Sequence, residues 1–250
     1  MSDDPLVERL QSAGAAAIRD LVADLRPRER ARDARPFAYV NMVTTVDGRA
    51  TVEGRSAALG DAADLAMLLE LRTLADAVLI GPGTLRAEGY GRLLRDPQRH
   101  ARRRAVGQDE DPIAVVISRG FELPWDAGLF AAADQPVLVY TGAPGDPPDV
   151  PAPVEVVPLP DATPAAAFAD LRARGVRSLL CEGGPTFNRA LLAAGLVDEL
   201  FLTVAPLVTA GEQAPRIVAG APLDVPARLG LRRVLRHGDE LLLRYALADD

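Results

Sequence analysis

Residues 178–188 read SLLCEGGPTFN, a short apolar run that ends in the carboxylate Glu182, two glycines and a proline. Pro185 stands where the first turn of a helix would begin, because proline is favoured at that position. Residues 77–85, AVLIGPGTL, repeat the pattern, since an apolar run passes directly into Gly-Pro-Gly-Thr. A buried strand that leads straight into a helix is typical of a parallel sheet. These two stretches predict a parallel α/β protein.

The same alternation extends outward along the chain. Helical spacing of apolar residues predicts helices over Asp61–Leu74, Thr163–Arg174 and Thr186–Ala194. The predicted strands are the short apolar runs Phe37–Val43, Ala77–Ile80, Ile113–Ile117, Pro136–Tyr140, Val154–Val157, Ser178–Cys181 and Glu199–Val204. Strands that alternate with helices indicate a mainly parallel central sheet with helices on both faces.

The C-terminal segment has a different pattern. Two runs of alternating apolar residues, Leu231–Arg236 and Glu240–Leu247, flank the turn His237-Gly238-Asp239. A short glycine-containing turn between such runs predicts a β-hairpin. We therefore expect an antiparallel hairpin at one edge of the sheet.

The N-terminal segment also stands apart. Apolar residues recur at helical spacing from Leu6 to Leu25, and Pro27 ends the run. This spacing predicts an amphipathic helix that packs on the domain or on a second subunit. We expect a helical extension over residues 1–35 and a single domain over residues 36–250.

Composition excludes several chemistries. The chain has 250 residues and a net charge of −7, and all 28 of its basic residues are arginine. Without lysine there is no Schiff-base enzyme and no P-loop. One cysteine, Cys181, and two histidines exclude an internal disulfide and a multi-cysteine zinc site, so we expect no metal.

The acidic balance and an aromatic content of 4% argue against nucleic-acid binding. The basic run Arg99–Arg104 precedes Asp109-Glu110-Asp111, so it is interpreted as a solvated loop that compensates its own charge. No apolar run approaches the length of a membrane span, about 20 residues. We expect a cytoplasmic protein that handles a small molecule and binds neither nucleic acid nor membrane.

Four segments carry polar or glycine residues where predicted strands end. In parallel sheets, ligands bind beyond these ends, at backbone N–H groups and helix N-termini. Each segment alone could be a simple turn or, for Thr186, a helix cap. The residues that we single out are Asn41 within the first strand and Asp47 after it, Gly81, Gly83 and Thr84 after the second, Ser118 and Arg119 after the third, and Glu182, Gly183 and Gly184 in the stretch quoted first.

Taken in order, these motifs resemble a known family. The set resembles the riboflavin-biosynthesis pyrimidine reductases, the reductase part of a bifunctional deaminase–reductase with a dihydrofolate-reductase-like fold. The similarity covers about residues 36–247 in the right order. Its motifs are Asn41 with Thr45-Val46-Asp47-Gly48, Leu68–Arg72 with Ala75-Asp76-Ala77, Ile80-Gly81-Pro82-Gly83-Thr84, Cys181-Glu182-Gly183-Gly184 and Asp198-Glu199-Leu200.

The resemblance implies NADPH as the cofactor and reduction of the ribosyl group of 5-amino-6-ribosylaminouracil 5′-phosphate to a ribityl group. Ser118 and Arg119 would hold the 2′-phosphate of NADPH. The other expected cofactor-binding residues are Gly81, Gly83, Thr84, Glu88, Gly183, Gly184, Pro185 and Thr186.

The resemblance also implies catalytic roles. Asn41 and Asp47 would orient the opening sugar and relay its proton, and Glu182 would hold the nicotinamide or the substrate. The substrate phosphate would be received by Arg72 with Arg92 or Arg95. The family usually continues after Gly-Pro-Gly-Thr with an Asp-Asp-Pro or Asp-Asn-Pro segment. Here Glu88 replaces the first carboxylate and Tyr90 is new, so Tyr90 joins the expected substrate-binding residues.

Two alternatives stay open at this stage. A dihydrofolate-reductase-type enzyme would offer one buried carboxylate, Asp47 or Glu182, to a pterin. A non-catalytic NADPH or flavin sensor would have its substrate pocket closed by Tyr90 and residues 88–110. The family also implies a homodimer, for which the alternating C-terminal hairpin could supply a pairing edge.

Overall fold

The fold is known from a computed structural model that describes residues 14–211 and 214–248. In this part of the chain one sheet contains nine strands in the order β5-β4-β3-β2-β6-β1-β7-β9-β8. The strands are β1 (Phe37–Thr45), β2 (Ala77–Leu79), β3 (Ile113–Ser118), β4 (Val137–Thr141), β5 (Val154–Pro158), β6 (Ser178–Cys181), β7 (Glu199–Ala205), β8 (Leu229–His237) and β9 (Glu240–Leu247). The predicted strands are confirmed to within two residues at each end.

The first seven strands in this spatial order, from β5 through to β7, are parallel to one another. Their carboxyl ends therefore lie at the same edge of the sheet. Strand β1 lies centrally, pairing with β6 on one side and β7 on the other. The hairpin β8–β9 adds two antiparallel strands beyond β7. The predicted α/β fold with an antiparallel C-terminal hairpin is confirmed.

Helices cover both faces of the sheet, as predicted. Successive β1 side chains enter different cores: Tyr39 packs in the cluster that contains Leu71, and Val40 in the cluster that contains Phe168. The helices are α1 (Ile18–Leu21), α2 (Ala62–Leu74), α3 (Pro82–Glu88), α4 (Pro97–Ala105), α5 (Pro164–Ala173) and α6 (Pro185–Ala193), with a 3₁₀ helix at Pro27–Arg30.

The basic run near residue 100 is helical, so its interpretation as a solvated loop is wrong. Asp96 caps α4 by accepting a hydrogen bond from Gln98 N at 2.9 Å. Arg103 is 1% exposed, and its Nη1 donates to Ala75 O over 2.5 Å, at the C-terminal end of α2. Arginines of this run therefore donate hydrogen bonds to the Glu70 carboxylate and to backbone carbonyls at the end of α2, about 30 residues earlier in the chain.

The N-terminal helix is shorter than predicted in the part that the structure describes. Residues 1–13 of the predicted run lie outside the described residues. Helix α1 ends at Leu21, although the apolar spacing continues, and Val22 and Leu25 beyond it are buried at 2% and 0% exposure. Across residues 14–211 and 214–248, no helix is both long enough and apolar enough to span a bilayer.

Candidate active site

A cavity of about 820 Å³ opens at the edge where the parallel strands end. It runs past the carboxyl ends of β3, β2, β6 and β1 and reaches the first turn of α2. The sequence-predicted site residues that line it are Asn41, Gly81, Gly83, Thr84, Glu88, Tyr90, Ser118, Arg119, Glu182, Gly184, Pro185 and Thr186. The structure thus gathers most of the predicted site around one open space, which Tyr90 borders without filling.

Two glycine loops meet in the middle of this cavity. Gly81 N donates to Gly183 O over 2.7 Å and joins the loop after β2 to the loop after β6. A Cβ on Gly81 would lie 2.9 Å from Gly183 O and 3.0 Å from Gly184 N. Gly183 itself has φ of +82°, which is strained for any residue with a side chain. The close approach of the two loops therefore requires glycine.

The helices that follow these loops present free backbone N–H groups. Helix α6 begins after Gly184, and no side chain caps it. Thr186 lines the cavity instead of acting as the cap. Uncapped N–H groups and the positive end of a helix dipole form a site for a phosphate or another anion.

Glu182 is held by two side chains from other elements. Arg72 of α2 donates to it in a bidentate manner, with Nε–Oε1 and Nη2–Oε2 distances of 2.7 Å. The Tyr90 hydroxyl donates to Oε2 over 2.6 Å. Burial and the Glu182 charge raise the pKa of Tyr90 well above its usual value. The carboxylate, 6% exposed, is thus fixed at the tip of β6.

Asn41 lies on β1 beside this group. The residue is 8% exposed, and its Oδ1 atom has no hydrogen-bond partner among the described residues. A buried, unpaired amide oxygen costs free energy unless a ligand supplies a donor. The cavity wall therefore carries an open hydrogen-bonding position next to Glu182.

Ser118, the last residue of β3, and Arg119, which follows it, lie at the far end of the cavity. Ser118 is 8% exposed, whereas the Arg119 side chain is exposed and forms no ion pair within residues 14–211 and 214–248. The loop before α5 contributes Asp161, Ala162 and Thr163 to the same end. This end combines a hydroxyl and a guanidinium, which suit a phosphate monoester.

The structure does not bring Asp47 to the cavity. It lies exposed on the turn after β1 and accepts hydrogen bonds from Thr45 Oγ1 at 2.6 Å and from Ala210 N at 2.8 Å. The bond from Thr45 is the main cause of its lowered pKa. These contacts join the turn after β1 to the loop at Thr209 and Ala210.

The arginines expected for the substrate phosphate also lie elsewhere. Arg72 is engaged by Glu182, and Arg92 donates to Asp111 Oδ2 over 2.6 Å. The Arg95 guanidinium is exposed beside Gly91 and does not line the cavity. The two paired guanidiniums are neutralised by carboxylates, so neither offers an uncompensated charge to a ligand.

Sequence reasoning missed several cavity residues. Asp64 of α2 lines the cavity with Leu68, and so does Ser56, whose backbone N–H donates to Glu88 Oε1 over 2.8 Å. An aspartate in the first turn of a helix is ordinarily explained by the helix dipole, so Asp64 gave no signal of its own. No group of three or more His, Cys, Asp or Glu in the described residues is arranged to hold a metal ion.

Comparison with known proteins gives a consistent set of relatives. The chain is 27% identical to 2,5-diamino-6-ribosylamino-4(3H)-pyrimidinone 5′-phosphate reductase of Methanothermobacter thermautotrophicus, over 85% of this chain and 99% of the relative. It is also 27% identical to the reductase of the same name from Archaeoglobus fulgidus, over 74% of this chain and 87% of the relative.

A solved structure agrees with these relatives. A pyrimidine reductase-like protein from Corynebacterium diphtheriae superposes with a TM-score of 0.78 at 27% identity, covering 94% of this chain and all of that one. The profile of the RibD C-terminal domain matches residues 36–243. The resemblance to riboflavin-biosynthesis pyrimidine reductases is thereby confirmed, and the chain belongs to the RibD C-terminal domain family.

Proposed function

We propose that the protein is an NADPH-dependent reductase that converts the ribosyl group of a ribosylaminopyrimidine 5′-phosphate to a ribityl group in riboflavin biosynthesis. The named relatives are pyrimidine phosphate reductases, and therefore oxidoreductases. The observation that carries the proposal is one cavity that joins a glycine-lined phosphate site to a buried, clamped carboxylate. A cofactor and a substrate could meet in such a cavity.

The residues present fit a dinucleotide. The loops at Gly81 and Gly184 are packed closely, because a Cβ on Gly81 would lie 2.9 Å from Gly183 O and one on Gly184 would lie 3.0 Å from the Thr84 hydroxyl. Such loops let a pyrophosphate approach backbone N–H groups, and α6 offers its uncapped first turn. Ser118 and Arg119 would hold a 2′-phosphate, which favours NADPH over NADH.

The chain's own residues would perform three tasks in the reaction. When bound, NADPH supplies a hydride for C1′ of the imine formed on ring opening, while the imine nitrogen gains a proton. Asn41 offers its unpaired Oδ1 to a sugar hydroxyl or to the nicotinamide amide. Glu182 orients the reacting groups from a fixed position, and Tyr90 helps to exclude water from it.

Steady-state kinetics test this proposal. The protein should oxidise NADPH, seen as loss of its near-ultraviolet absorbance, when a ribosylaminopyrimidine phosphate is added. NADH should serve poorly, and Arg119→Ala should raise the KM for NADPH by about 10-fold with little effect on NADH. Equal use of the two nucleotides by the unaltered protein would contradict the assignment of Ser118 and Arg119.

A second candidate is a reductase of a pterin such as dihydrofolate. Asp64 favours it, because a pterin site needs a buried carboxylate and Asp64 is a cavity carboxylate with an unpaired oxygen. Glu182, engaged by Arg72, and Asp47, outside the cavity, fit that role less well. This candidate would be favoured if dihydrofolate supported NADPH oxidation and no ribosylaminopyrimidine phosphate did.

We also propose that the protein forms a homodimer through the edge strand β8. Leu229 and Leu231 on this strand are 44% and 54% exposed, and an exposed apolar edge is suited to pairing. Light scattering should give the mass of two chains. Replacing Leu231 with Lys should shift that mass towards one chain, and a mass of one chain in the unaltered protein would exclude the dimer.

A further inference from the structure

Three carboxyl side chains form a series from the cavity wall towards the protein surface. Asp64, in the first turn of α2, lines the cavity, and its Oδ1 atom is buried without a hydrogen-bond partner among residues 14–211 and 214–248. Glu240, at the start of β9, is 2% exposed, and its Oε2 atom is likewise buried and unpaired within the described chain. Asp61, the cap of α2, completes the series, because its backbone N–H donates to Glu240 Oε1 over 3.2 Å.

The backbone at the start of α2 brings the two unpaired carboxyl groups close to each other. A Cβ on Gly60 would lie 2.1 Å from Asp64 Oδ2, so the Asp64 carboxyl rests against this glycine. The next residue, Asp61, contacts Glu240 through its N–H. Burial raises the pKa of Asp64 and also that of Glu240, and the nearby Asp64 charge adds to the rise at Glu240. Both groups are therefore disposed to hold a proton.

Asp61 and Glu240 also form a hydrogen bond through their side chains. Two carboxyl groups can do so only when one of them is protonated, because an ionised carboxylate has no donor. Although burial opposes the change, hydrogen bonds from Glu240 and His237 lower the pKa of Asp61 to about 2. Burial and the Asp61 side chain raise the pKa of Glu240 to about 7. The proton of this pair therefore resides on Glu240.

His237 connects the pair to solvent. Its Nδ1 atom lies 2.6 Å from Asp61 Oδ2, and its side chain is 60% exposed. Titratable groups thus face Glu240 from two elements packed against it: Asp61 and Asp64 from the start of α2, and His237 from its partner strand β8. The other neighbour, β7, supplies the neutral Thr203, which forms a hydrogen bond to Asp64. The series therefore runs from an exposed imidazole to a carboxyl group in the cavity wall.

The inner end of the series faces the part of the cavity that holds Asn41. Side chains alternate along β1, so Asn41 lies on the same side of the sheet as Tyr39, which packs in the core that α2 covers. Asn41 and Asp64 both line the cavity, and each carries a buried, unpaired oxygen. Glu182 already accepts hydrogen bonds at both of its oxygens. Asp64 is therefore better placed than Glu182 to give up a proton.

We propose that Asp64 delivers the proton of the reduction, and that Glu240, Asp61 and His237 form the path that reloads Asp64 from solvent. The inference rests on the proposed function. In that reaction a hydride, with its electron pair, passes from the nicotinamide to C1′ of the imine. The O–H bond of the Asp64 carboxyl breaks as the imine nitrogen gains its proton, which gives the amine.

The path then restores the starting state. Glu240 returns a proton to the Asp64 carboxylate, directly or through one bound water molecule, and Asp61 and His237 pass on its replacement from solvent. Each turnover consumes one NADPH and one solvent proton and leaves the four side chains unchanged. Asp64 is the catalytic residue of this series, and the other three act through it.

The pH dependence of turnover tests the path. In the unaltered protein kcat should be highest below about pH 7 and should fall above it, as Glu240 loses its proton. Glu240→Gln keeps the side-chain shape but has no acidic proton, so it should lower kcat by about 10-fold and remove this decline, with the KM for NADPH unchanged. Asp64→Asn removes the donor itself and should lower kcat by about 100-fold.

Glu70→Gln is the matched control. Glu70 is also 2% exposed, but it pairs with Arg99 and Arg102 and does not line the cavity. This variant should keep the pH profile of the unaltered protein whatever stability it loses. Proton transfer should limit the rate only when the path is broken, so the solvent deuterium isotope effect on kcat should increase in Glu240→Gln and not in Glu70→Gln.

Infrared spectroscopy detects the stored proton without turnover. At about pH 6 the unaltered protein should show the carbonyl band of a protonated carboxyl group that Glu240→Gln lacks. The path would be overturned if this band were absent from the unaltered protein, or if Glu240→Gln kept the kcat and pH profile. Should Glu240→Gln fail to fold, a kcat of the unaltered protein that is constant across about pH 5 to 9 would overturn it equally. If the band is present but no ribosylaminopyrimidine phosphate supports NADPH oxidation, the proposed function fails instead.

Discussion

Tyr90 donates its hydroxyl hydrogen to Glu182 Oε2 over 2.6 Å, and Arg72 Nη2 donates to the same oxygen over 2.7 Å. Two donors on one buried oxygen hold the carboxylate in one orientation and favour its ionised form. The tyrosine lines the cavity, whereas the arginine lies behind the carboxylate in the wall. Tyr90, the residue that departs from the family pattern, thus contacts the most buried charged group of the site.

Replacing Tyr90 with Phe should lower kcat/KM by about 10-fold, because Glu182 loses a donor and its orientation becomes less defined. The unfolding free energy should fall by about 1–2 kcal/mol. Steady-state kinetics and urea titration measure the two effects. Tyr140→Phe is a matched control, since Tyr140 donates to Asp170 Oδ2 over 2.7 Å away from the cavity. It should lose similar stability without changing kcat/KM; equal kinetic losses in both variants would contradict a specific role for Tyr90.

The pair of Arg72 and Glu182 should behave as a coupled buried ion pair. Arg72→Met leaves a carboxylate that is 6% exposed without its cation, which should cost about 3–5 kcal/mol of unfolding free energy. The double variant Arg72→Met with Glu182→Leu removes both charges and should recover most of that loss. Urea titration of both single variants and the double variant measures the coupling. Additive losses would show that the two side chains stabilise the fold independently.

Much of the fold could be predicted because strands β2, β3, β4 and β6 are buried on both faces and therefore appear as short apolar runs. The glycine loops could be predicted for a related reason, since each directly follows such a run. Helix α4 was not predicted, although Asp96 and Pro97 are residues typical of a helix start. Its run of arginines was interpreted as a solvated loop instead. Arg103 is buried only because it meets α2 carbonyls about 30 residues earlier in the chain.

The site was harder to predict than the fold. Asp47 was chosen because it follows β1, but the loop at Thr209 and Ala210 folds onto it from 162 and 163 residues away. Arg72 was assigned to a phosphate for its charge, although its partner Glu182 lies 110 residues later. Residue type and order thus identified the strand ends, whereas the pairing of charged side chains depended on contacts distant in sequence.

Gly81 and Gly83 should respond in opposite ways to substitution with alanine. At Gly81 the new Cβ would press on Gly183 O at 2.9 Å, which should cost about 1–3 kcal/mol and weaken NADPH binding. A Cβ added to Gly83, inside α3, would have no neighbouring atom within 4 Å, so alanine should stabilise the helix by up to about 1 kcal/mol. Thermal unfolding and fluorescence titration with NADPH measure both. Equal destabilisation by the two variants would contradict the close contact of the glycine loops.

Glu240 gives the fold a pH dependence near neutrality. It is 2% exposed and accepts a hydrogen bond from Asp61 N over 3.2 Å. Burial and its hydrogen bond to the Asp61 side chain raise the pKa of Glu240 from an ordinary 4.5 to about 7, and Asp64 adds to the effect. His237 faces the same group by pairing with Asp61 Oδ2 at 2.6 Å. The folded state therefore holds a proton that the unfolded chain releases at lower pH.

The sign of the resulting effect follows from proton linkage. Between about pH 4.5 and pH 7 the folded state binds more protons than the unfolded chain, so the unfolding free energy should fall as pH rises through this range. Glu240→Gln keeps a neutral donor at every pH and should remove that decline. Above pH 7 the unfolding free energy of the variant should exceed that of the unaltered protein by about 1–2 kcal/mol. Below about pH 4.5 the two unfolding free energies should converge. Urea titrations at several pH values test this, and a constant difference between the two proteins across the range would exclude Glu240 as the titrating group.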